Sequence, residues 1–332
     1  MKDNILIVGL GSIGSRHLNN LLTLGFDCIS IVTRLGKVKE GFENFDFYTS
    51  ITSACSNKVI HTIIIATPTS QHIPDLIEAL DNNIDHIYLE KPISNSLEEL
   101  SHIREVLSKR KKINLVVGYD LRFDPGLVLI KQYINEKKIG KIVGFIAEVG
   151  QYLPDWRPGI DYRESMSASK QKGGGVMLDL VHEFDYVNWL VGPVKNIVGL
   201  NGKVSDLEID TEDISVNLIE TNTGALGSIH LDYLQPELSR NFKIIGDKGL
   251  VVWNYQHSIV RFMSHQDREW KEYSYSHYER NDRFLDVMKA FMESRSGKNK
   301  DKKLVNFNDA ITSIKMVELS KRSCNHKRLE EL

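Results

Sequence analysis

The stretch Ile5-Leu6-Ile7-Val8-Gly9-Leu10-Gly11-Ser12-Ile13-Gly14 joins four consecutive apolar residues to a glycine-rich turn. A continuous apolar run of this length suits a strand buried on both faces of a parallel sheet. The following segment, Ile13 to Leu24, carries apolar residues at helical spacing and stops at Gly25. The turn therefore reads strand–GxGxxG–helix, and that context gives the motif its chemistry. Gly9 permits the tight turn, Gly11 lets a pyrophosphate reach the backbone, and Gly14 allows close helix–strand packing. The N–H groups of Ser12 and Ile13, at the start of the helix, are offered to the phosphates. A dinucleotide site is expected here.

Outward from this turn the pattern alternates. Strands are expected over Cys28–Thr33, Ile60–Ala66, Ile84–Leu89 and Ile113–Val117, with helices over Gln71–Asn82 and Leu97–Lys111. Alternation of this kind implies an α/β fold, a doubly wound parallel sheet filling residues 1–120. The second strand ends Val32-Thr33-Arg34, where binders of NAD usually place an acid for the ribose 2′-hydroxyl. Thr33 can hydrogen-bond a 2′-phosphate and Arg34 can neutralise it, so NADP is favoured over NAD.

At 332 residues the chain exceeds one ordinary core, and a second domain is expected over residues 121–332. It begins with a helix (Gly126–Lys138) and an alternating strand (Ile142–Tyr152). Further strands are expected over Lys195–Val204, Asp213–Thr221, Ala225–Leu234, Asn241–Ile245, Leu250–Trp253 and Ser258–Met263. Turns such as Thr221-Asn222-Thr223-Gly224 and Gly246-Asp247-Lys248-Gly249 separate them, which indicates an α+β domain with an antiparallel sheet. A helix over Asp282–Ser294, a basic loop (Lys298 to Lys303) and a helix over Asn308–Arg322 close the chain, the last free to pack back on the first domain.

Lys and Arg number 42 against 44 Asp and Glu, a net charge of −2. Such a chain lacks the basic face that nucleic-acid binding needs, though it can still hold a local anion site. No apolar run approaches the ~18 residues that cross a bilayer. The start Met1-Lys2-Asp3-Asn4 lacks the features of a signal peptide. Cys28, Cys55 and Cys324 are odd in number and far apart, which excludes a disulfide framework or a metal knuckle and suits a reducing compartment. A cytoplasmic enzyme without a metal is expected.

Two further motifs lie at expected C-terminal strand ends, where open α/β sheets place their ligands. They are Ala66-Thr67-Pro68-Thr69-Ser70-Gln71-His72 and Glu90-Lys91-Pro92. With the glycine turn, Gly118-Tyr119-Asp120-Leu121-Arg122-Phe123-Asp124-Pro125 and Gly173-Gly174-Gly175-Val176-Met177-Leu178-Asp179-Leu180-Val181-His182, the order resembles the glucose–fructose oxidoreductase/inositol dehydrogenase (Gfo/Idh/MocA) family. The resemblance spans roughly residues 5–192. It implies an NAD(P)-dependent oxidoreductase acting on sugars, cyclitols or nucleotide sugars, with a Rossmann domain followed by a large open, mainly antiparallel sheet.

By position the resemblance makes Lys91 and His182 the catalytic pair beside the nicotinamide, meeting across the interdomain cleft, with Asp179 as the acid before that histidine. It places Thr67, Pro68, His72 and Glu90 around the nicotinamide and its ribose, and Tyr119 and Arg122 on the substrate. The family commonly separates its Asp and His by four residues. Here Asp179 and His182 are three apart, in a DLxHExD variant often seen in polysaccharide-precursor genes. The spacing of Met177, Leu180, Val181, Phe184, Val187 and Leu190 predicts one continuous buried helix from Val176 to Leu190. Asp179, His182 and Tyr186 lie on another stripe of it. The three glycines ahead of it suggest close approach by something.

Residues 153–172 are too long and polar for a bare connection, and such loops usually carry function. Arg157 and Arg163 offer forked cations for phosphate or carboxylate, and Trp156 and Tyr162 offer faces for a sugar or base. Lys170 and Lys172 add charge before the helix. An anionic or nucleotide-activated sugar is the expected substrate, and the competing possibility is a surface loop pinned by Arg–Asp pairs. Two other functions stay open: epimerisation or elimination through transient oxidation by a retained cofactor, and a non-catalytic, dinucleotide-binding regulator or scaffold. A broad sheet face needs covering, so a homodimer or homotetramer is expected through the C-terminal sheet.

Overall fold

The structure, a computed structural model, describes residues 4–34, 41–98, 100–110, 112–297 and 301–332. Met1, Lys2 and Asp3, Glu99 and Lys111 of the expected helix Leu97–Lys111, and Lys298, Asn299 and Lys300 of the expected basic loop lie outside the described residues. The chain divides into two compact units. One comprises Met1–Asp120 with Arg280–Ile311, the other Leu121–Glu279 with Thr312–Leu332. The second division falls inside the helix Phe307–His326.

In the first unit the strands are Ile5–Val8 (β1), Ile29–Val32 (β2), Asp46–Tyr48 (β3), Thr62–Ile65 (β4), His86–Glu90 (β5) and Asn114–Gly118 (β6). All neighbours pair in parallel, in the order β3-β2-β1-β4-β5-β6. β1 is buried along its whole length between β2 and β4, as an apolar run with no alternation demands. The order reverses between β1 and β4, so the turns after these two strands flank the switch point where such sheets bind ligands.

Two elements here escape the hydrophobic pattern. β3 is a short Asp-Phe-Tyr strand, and the helix Ile51–Asn57 is started by a reciprocal cap between Ser50 and Ser53 rather than by an apolar face. The helix Arg280–Ser294 also belongs to this unit. Its Phe291 ring packs 5.5 Å from Tyr88, Ser294 Oγ accepts from Asn114 Nδ2 at 2.8 Å, and Arg283 pairs with Asp120.

In the second unit the strands are Ile142–Gly150 (β7), Val194–Gly202 (β8), Ile214–Thr221 (β9), Leu226–Asp232 (β10), Ser239–Gly246 (β11), Gly249–Asn254 (β12), Ile259–Ser264 (β13), Lys271–Ser274 (β14) and Glu330–Glu331 (β15). They form one nine-stranded sheet, β14-β13-β12-β11-β7-β10-β9-β8-β15. Only the β7–β10 pair is parallel. The fold is thus a Rossmann unit plus a unit with a mixed, mainly antiparallel sheet.

Alternation divides the large sheet into two faces. Phe145, Ala147, Val149, Ile229, Leu231, Phe242, Ile244, Val251 and Trp253 are buried. Tyr186 packs into this face, its ring 5.0 Å from Phe242 and 5.9 Å from Trp253. Trp253 Nε1 donates to Tyr275 Oη at 2.6 Å, and Tyr275 donates to Asp124, the cap of the helix Pro125–Asn135. Gly126 makes room for this: a Cβ there would stand 2.5 Å from the Trp253 ring. On the opposite face Leu200, Leu218, Leu226 and Ile146 are exposed. No helix among the described residues is long and apolar enough to cross a membrane.

Candidate active site

In the first unit the glycine turn is held by contacts that only glycine allows. Gly9 has φ +90°, and a Cβ there would stand 2.7 Å from the Ala66 carbonyl oxygen, in the turn after β4. A Cβ on Gly14 would come within 2.0 Å of the Gly9 carbonyl oxygen. A Cβ on Gly11 would meet nothing within 4 Å, so this face of the turn is open to a bulky anion. The helix Ser12–Thr23 starts at Gly11 with no side-chain cap and no acid in its first turn. Its first N–H groups and positive dipole end suit a pyrophosphate. These residues fit a dinucleotide.

The end of β2 has no acid, but a distant one reaches it. Asp75, on the helix His72–Asp81, is fully buried. It accepts from Arg34 Nη2 at 2.5 Å and from Thr67 Oγ1 at 2.7 Å. The Arg34 side chain keeps 44% of its surface exposed. Thr33 pairs its N–H with the Tyr48 carbonyl at 3.1 Å.

Two residues expected around the nicotinamide face inward. His72 is buried, with Nδ1 2.6 Å from the Pro92 carbonyl and Nε2 2.9 Å from the Thr67 carbonyl. It fastens the turn after β4 to the turn after β5, and burial pushes its pKa below the ordinary histidine value. Glu90 is almost fully buried, with Oε1 2.6 Å from His17 Nε2. Burial, followed by the charge of Glu90, pushes the Tyr88 phenol well up. Lys91 follows Glu90 directly, half-buried, on a cis bond to Pro92. Tyr119, expected on substrate, is buried in the chain.

In the second unit the expected helix Val176–Leu190 is two helices, Val176–Asp179 and His182–Val191, with Leu180 at φ −101°, ψ 33° between them. Both bury the same apolar residues, so their spacing runs through the break unmarked. The break separates Asp179 from His182 structurally. Asp179 ends the first helix and accepts from Tyr233 Oη at 2.6 Å. His182 opens the second helix, 7% exposed.

The two acids after His182 are anchors. Glu183 accepts from Arg240 Nε of β11 at 2.9 Å, and burial pushes its carboxyl up while the Arg240 charge opposes that shift. Asp185 receives Arg122 in a two-pronged pair, Nε at 2.9 Å and Nη2 at 2.7 Å. Arg122, expected on substrate, is instead buried against Asp185, with the Trp189 ring 5.5 Å from its Cζ. The glycines before this region are explained by the chain itself. A Cβ on Gly174 would stand 2.1 Å from the Met166 carbonyl oxygen, and one on Gly175 2.5 Å from Glu212 Oε1.

The polar loop is a pinned structure. Arg163 makes a two-pronged pair with Asp161 and a further ion pair with Glu208, and half of its side chain stays exposed. Lys172 Nζ donates to the Glu164 carbonyl at 2.8 Å, and the Lys170 N–H to Asp210 at 2.6 Å. Trp156 donates to the Gln151 carbonyl and stands edge-on to Tyr233, ring centroids 5.2 Å apart. Leu153, Trp156, Arg157, Ile160, Tyr162 and Ser167 line a shallow recess open to solvent. His17, Asp75, Tyr233 and Arg240 were not visible in the motifs. Each meets its partner across more than forty residues of chain, and only the helical position of His17, three after Gly14, carries a local signal.

Two family models match the chain: "Oxidoreductase family, NAD-binding Rossmann fold" over residues 4–119 and "Oxidoreductase family, C-terminal alpha/beta domain" over residues 131–332. The chain is 24% identical over 341 residues to a myo-inositol 2-dehydrogenase of Thermotoga maritima, covering 98% of this chain and 97% of that protein. It is 26% identical over 278 residues to a scyllo-inositol 2-dehydrogenase (NAD(+)) of Bacillus subtilis, covering 78% and 76%. A solved structure of levoglucosan dehydrogenase with NADH and levoglucosan has a TM-score of 0.86 at 18% identity, covering 100% and 99%, a likeness of fold.

The depressed pKa of His72 has a consequence for stability. Burial makes the folded state bind this imidazole's proton less readily than the unfolded chain, which takes it up as pH falls through about 6.5. The unfolded state then binds more protons, so the contribution is full above that value and is lost as pH falls from it toward the lower folded value. Replacing His72 by Asn should therefore lower the unfolding midpoint more at about pH 7 than at about pH 5. Thermal unfolding of both proteins across that range tests it, and a constant difference would contradict it.

Proposed function

The chain belongs to the Gfo/Idh/MocA family of oxidoreductases, and from that premise we propose that it moves hydride between NADP, in preference to NAD, and a hydroxyl- or keto-bearing carbon of a sugar. The observation that carries this reading is the arrangement in the first unit. The open glycine turn with its uncapped helix follows β1, and Lys91 follows β5, one strand beyond β4 in the same parallel sheet. The bound dinucleotide supplies the hydride acceptor or donor. The protein contributes orientation and proton transfer.

In the oxidising direction the alcohol loses a hydride and a proton, and Lys91 or His182 takes the proton; in reduction the same groups return it. The Lys91 ammonium also offsets charge that develops on the oxygen. Asp179, fixed by Tyr233, orients the substrate beside His182. His182 is held at a helix start whose next two acids are locked to Arg240 and Arg122, which suits a group that must keep one geometry.

The NADP preference rests on Thr33 and Arg34. Asp75 takes one edge of the guanidinium, and the exposed part is offered to a 2′-phosphate. The substrate is proposed to be an anionic or nucleotide-activated sugar of the kind used in glycan-precursor synthesis. With Arg163 committed to Asp161 and Glu208, the cation for it is Arg157, which shares the recess with Trp156 and Tyr162. The exposed Leu200, Leu218 and Leu226 on the outer sheet face support a homodimer or homotetramer assembled there. Sedimentation as a single protomer would count against that assembly.

Replacing Lys91 or His182 by Ala should depress kcat by ~10²–10⁴-fold with cofactor affinity nearly unchanged, Lys91 showing the larger loss. The double variant should fall short of the product of the two losses, since both groups serve one proton. Stopped-flow assays at saturating cofactor measure this, and wild-type kcat in either variant removes that residue from the mechanism.

Arg34→Ala should weaken NADPH selectively by ~1–3 kcal/mol, the range for a charge-assisted contact. Calorimetric titration showing equal losses for NADPH and NADH would reverse the cofactor preference. Arg157→Ala should raise KM for an acidic or nucleotide-linked sugar and leave NADPH binding intact. An unchanged KM would return the loop to a purely structural role.

A further inference from the structure

We infer that His17 is a positioning residue for Lys91, acting through Glu90; the inference rests on the acid–base role proposed for Lys91. His17 lies three residues beyond Gly14, on the helix Ser12–Thr23 whose first turn is the anion site. Its ring is fully buried. Nε2 stands 2.6 Å from Glu90 Oε1 and, facing a carboxylate oxygen, is the donor. Nδ1 is buried and meets no hydrogen-bond partner among the described residues, so the bond to Glu90 is the ring's polar commitment. Tyr88 stands edge-on at 5.1 Å and Phe284 at 6.4 Å, which fixes the plane of the imidazole.

Glu90 is enclosed from its other sides as well. The Tyr88 hydroxyl lies close by, facing Gly118 of the next strand. The backbone of β6 closes the space, since a Cβ on Gly118 would stand 2.7 Å from Tyr88 Oη and 3.0 Å from Glu90 Oε1. Glu90 is therefore held by the His17 donor and by the close packing against Gly118, and the next residue along the chain is Lys91. The helix that receives phosphate at Ser12 grips Glu90 from its second turn. It thereby links the phosphate turn to the backbone that carries the proton-transfer group.

The test compares His17→Leu, which removes the donor, with His17→Gln, which keeps an N–H donor on a side chain of similar reach. In the cofactor-free protein, Lys91 is labelled with acetic anhydride and read by peptide mass spectrometry, with Lys58, Lys131 and Lys243 as internal references. His17→Leu should change the Lys91 labelling rate by about fivefold or more and leave the references within about twofold, and His17→Gln should restore Lys91 to near the wild-type rate. In single-turnover stopped flow, His17→Leu should slow hydride transfer ~10–100-fold at full amplitude, the scale of a sub-ångström to ångström misplacement. Lost amplitude at an unchanged rate would mean lost folded protein and would overturn the inference.

An unchanged Lys91 labelling rate in His17→Leu also overturns it. Should all lysines label alike because that variant fails to fold, Glu90→Gln carries the same test, and Lys91 must change there while the references do not. Labelling needs neither cofactor nor substrate. A failure of Lys91→Ala to slow turnover therefore strikes the proposed function, and unchanged labelling strikes the role of His17.

Discussion

Close approach of three backbone segments at the switch point governs the rest of the first unit. Gly14 lies against the Gly9 carbonyl, and Gly9 lies against the Ala66 carbonyl beyond the neighbouring strand. No side chain fits at either position. The contact therefore sets the angle at which the helix Ser12–Thr23 leaves β1, and with it everything that helix carries. One end offers uncapped N–H groups, and the second turn delivers His17 to Glu90. The proposed phosphate turn and the proposed support of Lys91 thus share one rigid element, the arrangement by which a scaffold holds reacting groups in register.

Buried charge serves a comparable purpose in the second unit. Arg122–Asp185 and Arg240–Glu183 are both almost completely removed from water. Desolvation consumes most of the Coulombic gain of such pairs, so they add little net stability, but deleting one partner costs about 3–5 kcal/mol. Their value here is geometric. Two acids in the first turn of the helix His182–Val191 are tied to different elements, a turn near residue 122 and strand β11, which leaves the helix one way to sit. The acids also lie at the end of the helix whose dipole favours them.

The alternating α/β half was legible because its strands are apolar runs and its helices are amphipathic. The large sheet was legible because its strands alternate and its turns carry Gly, Asn and Asp. β3 and the helix Ile51–Asn57 were not, since a three-residue strand and a seven-residue helix started by serines have no periodicity to detect. The break between Asp179 and His182 was hidden for the opposite reason: burial is complete on both sides of it, so apolar spacing continues through a change of direction. The glycine run 173–175 signals close approach by something, and at Gly174 and Gly175 that something is Met166 and Glu212 of the same chain. A missing Cβ reports close approach and is silent about what approaches.

The cations show the same limit more sharply. Arg34, Arg122 and Arg163 each stood in a motif or loop where a ligand-binding role was chemically reasonable, and each meets a carboxylate of its own chain. Two of those carboxylates, Asp75 and Asp185, lie more than forty residues away in sequence and are buried. Burial sets Arg122 apart from Arg34, whereas Arg163 is exposed and differs in meeting two acids, Asp161 and Glu208. Arg122 is enclosed with its acid and cannot exchange it for a solute without leaving Asp185 charged and dry. Arg34 keeps nearly half of its side chain exposed beyond the Asp75 contact, so a phosphate can share the guanidinium with that acid. The proposed selection of an anionic ligand rests on arginines that keep donors in water, Arg157 at the recess and Arg34 at the end of β2.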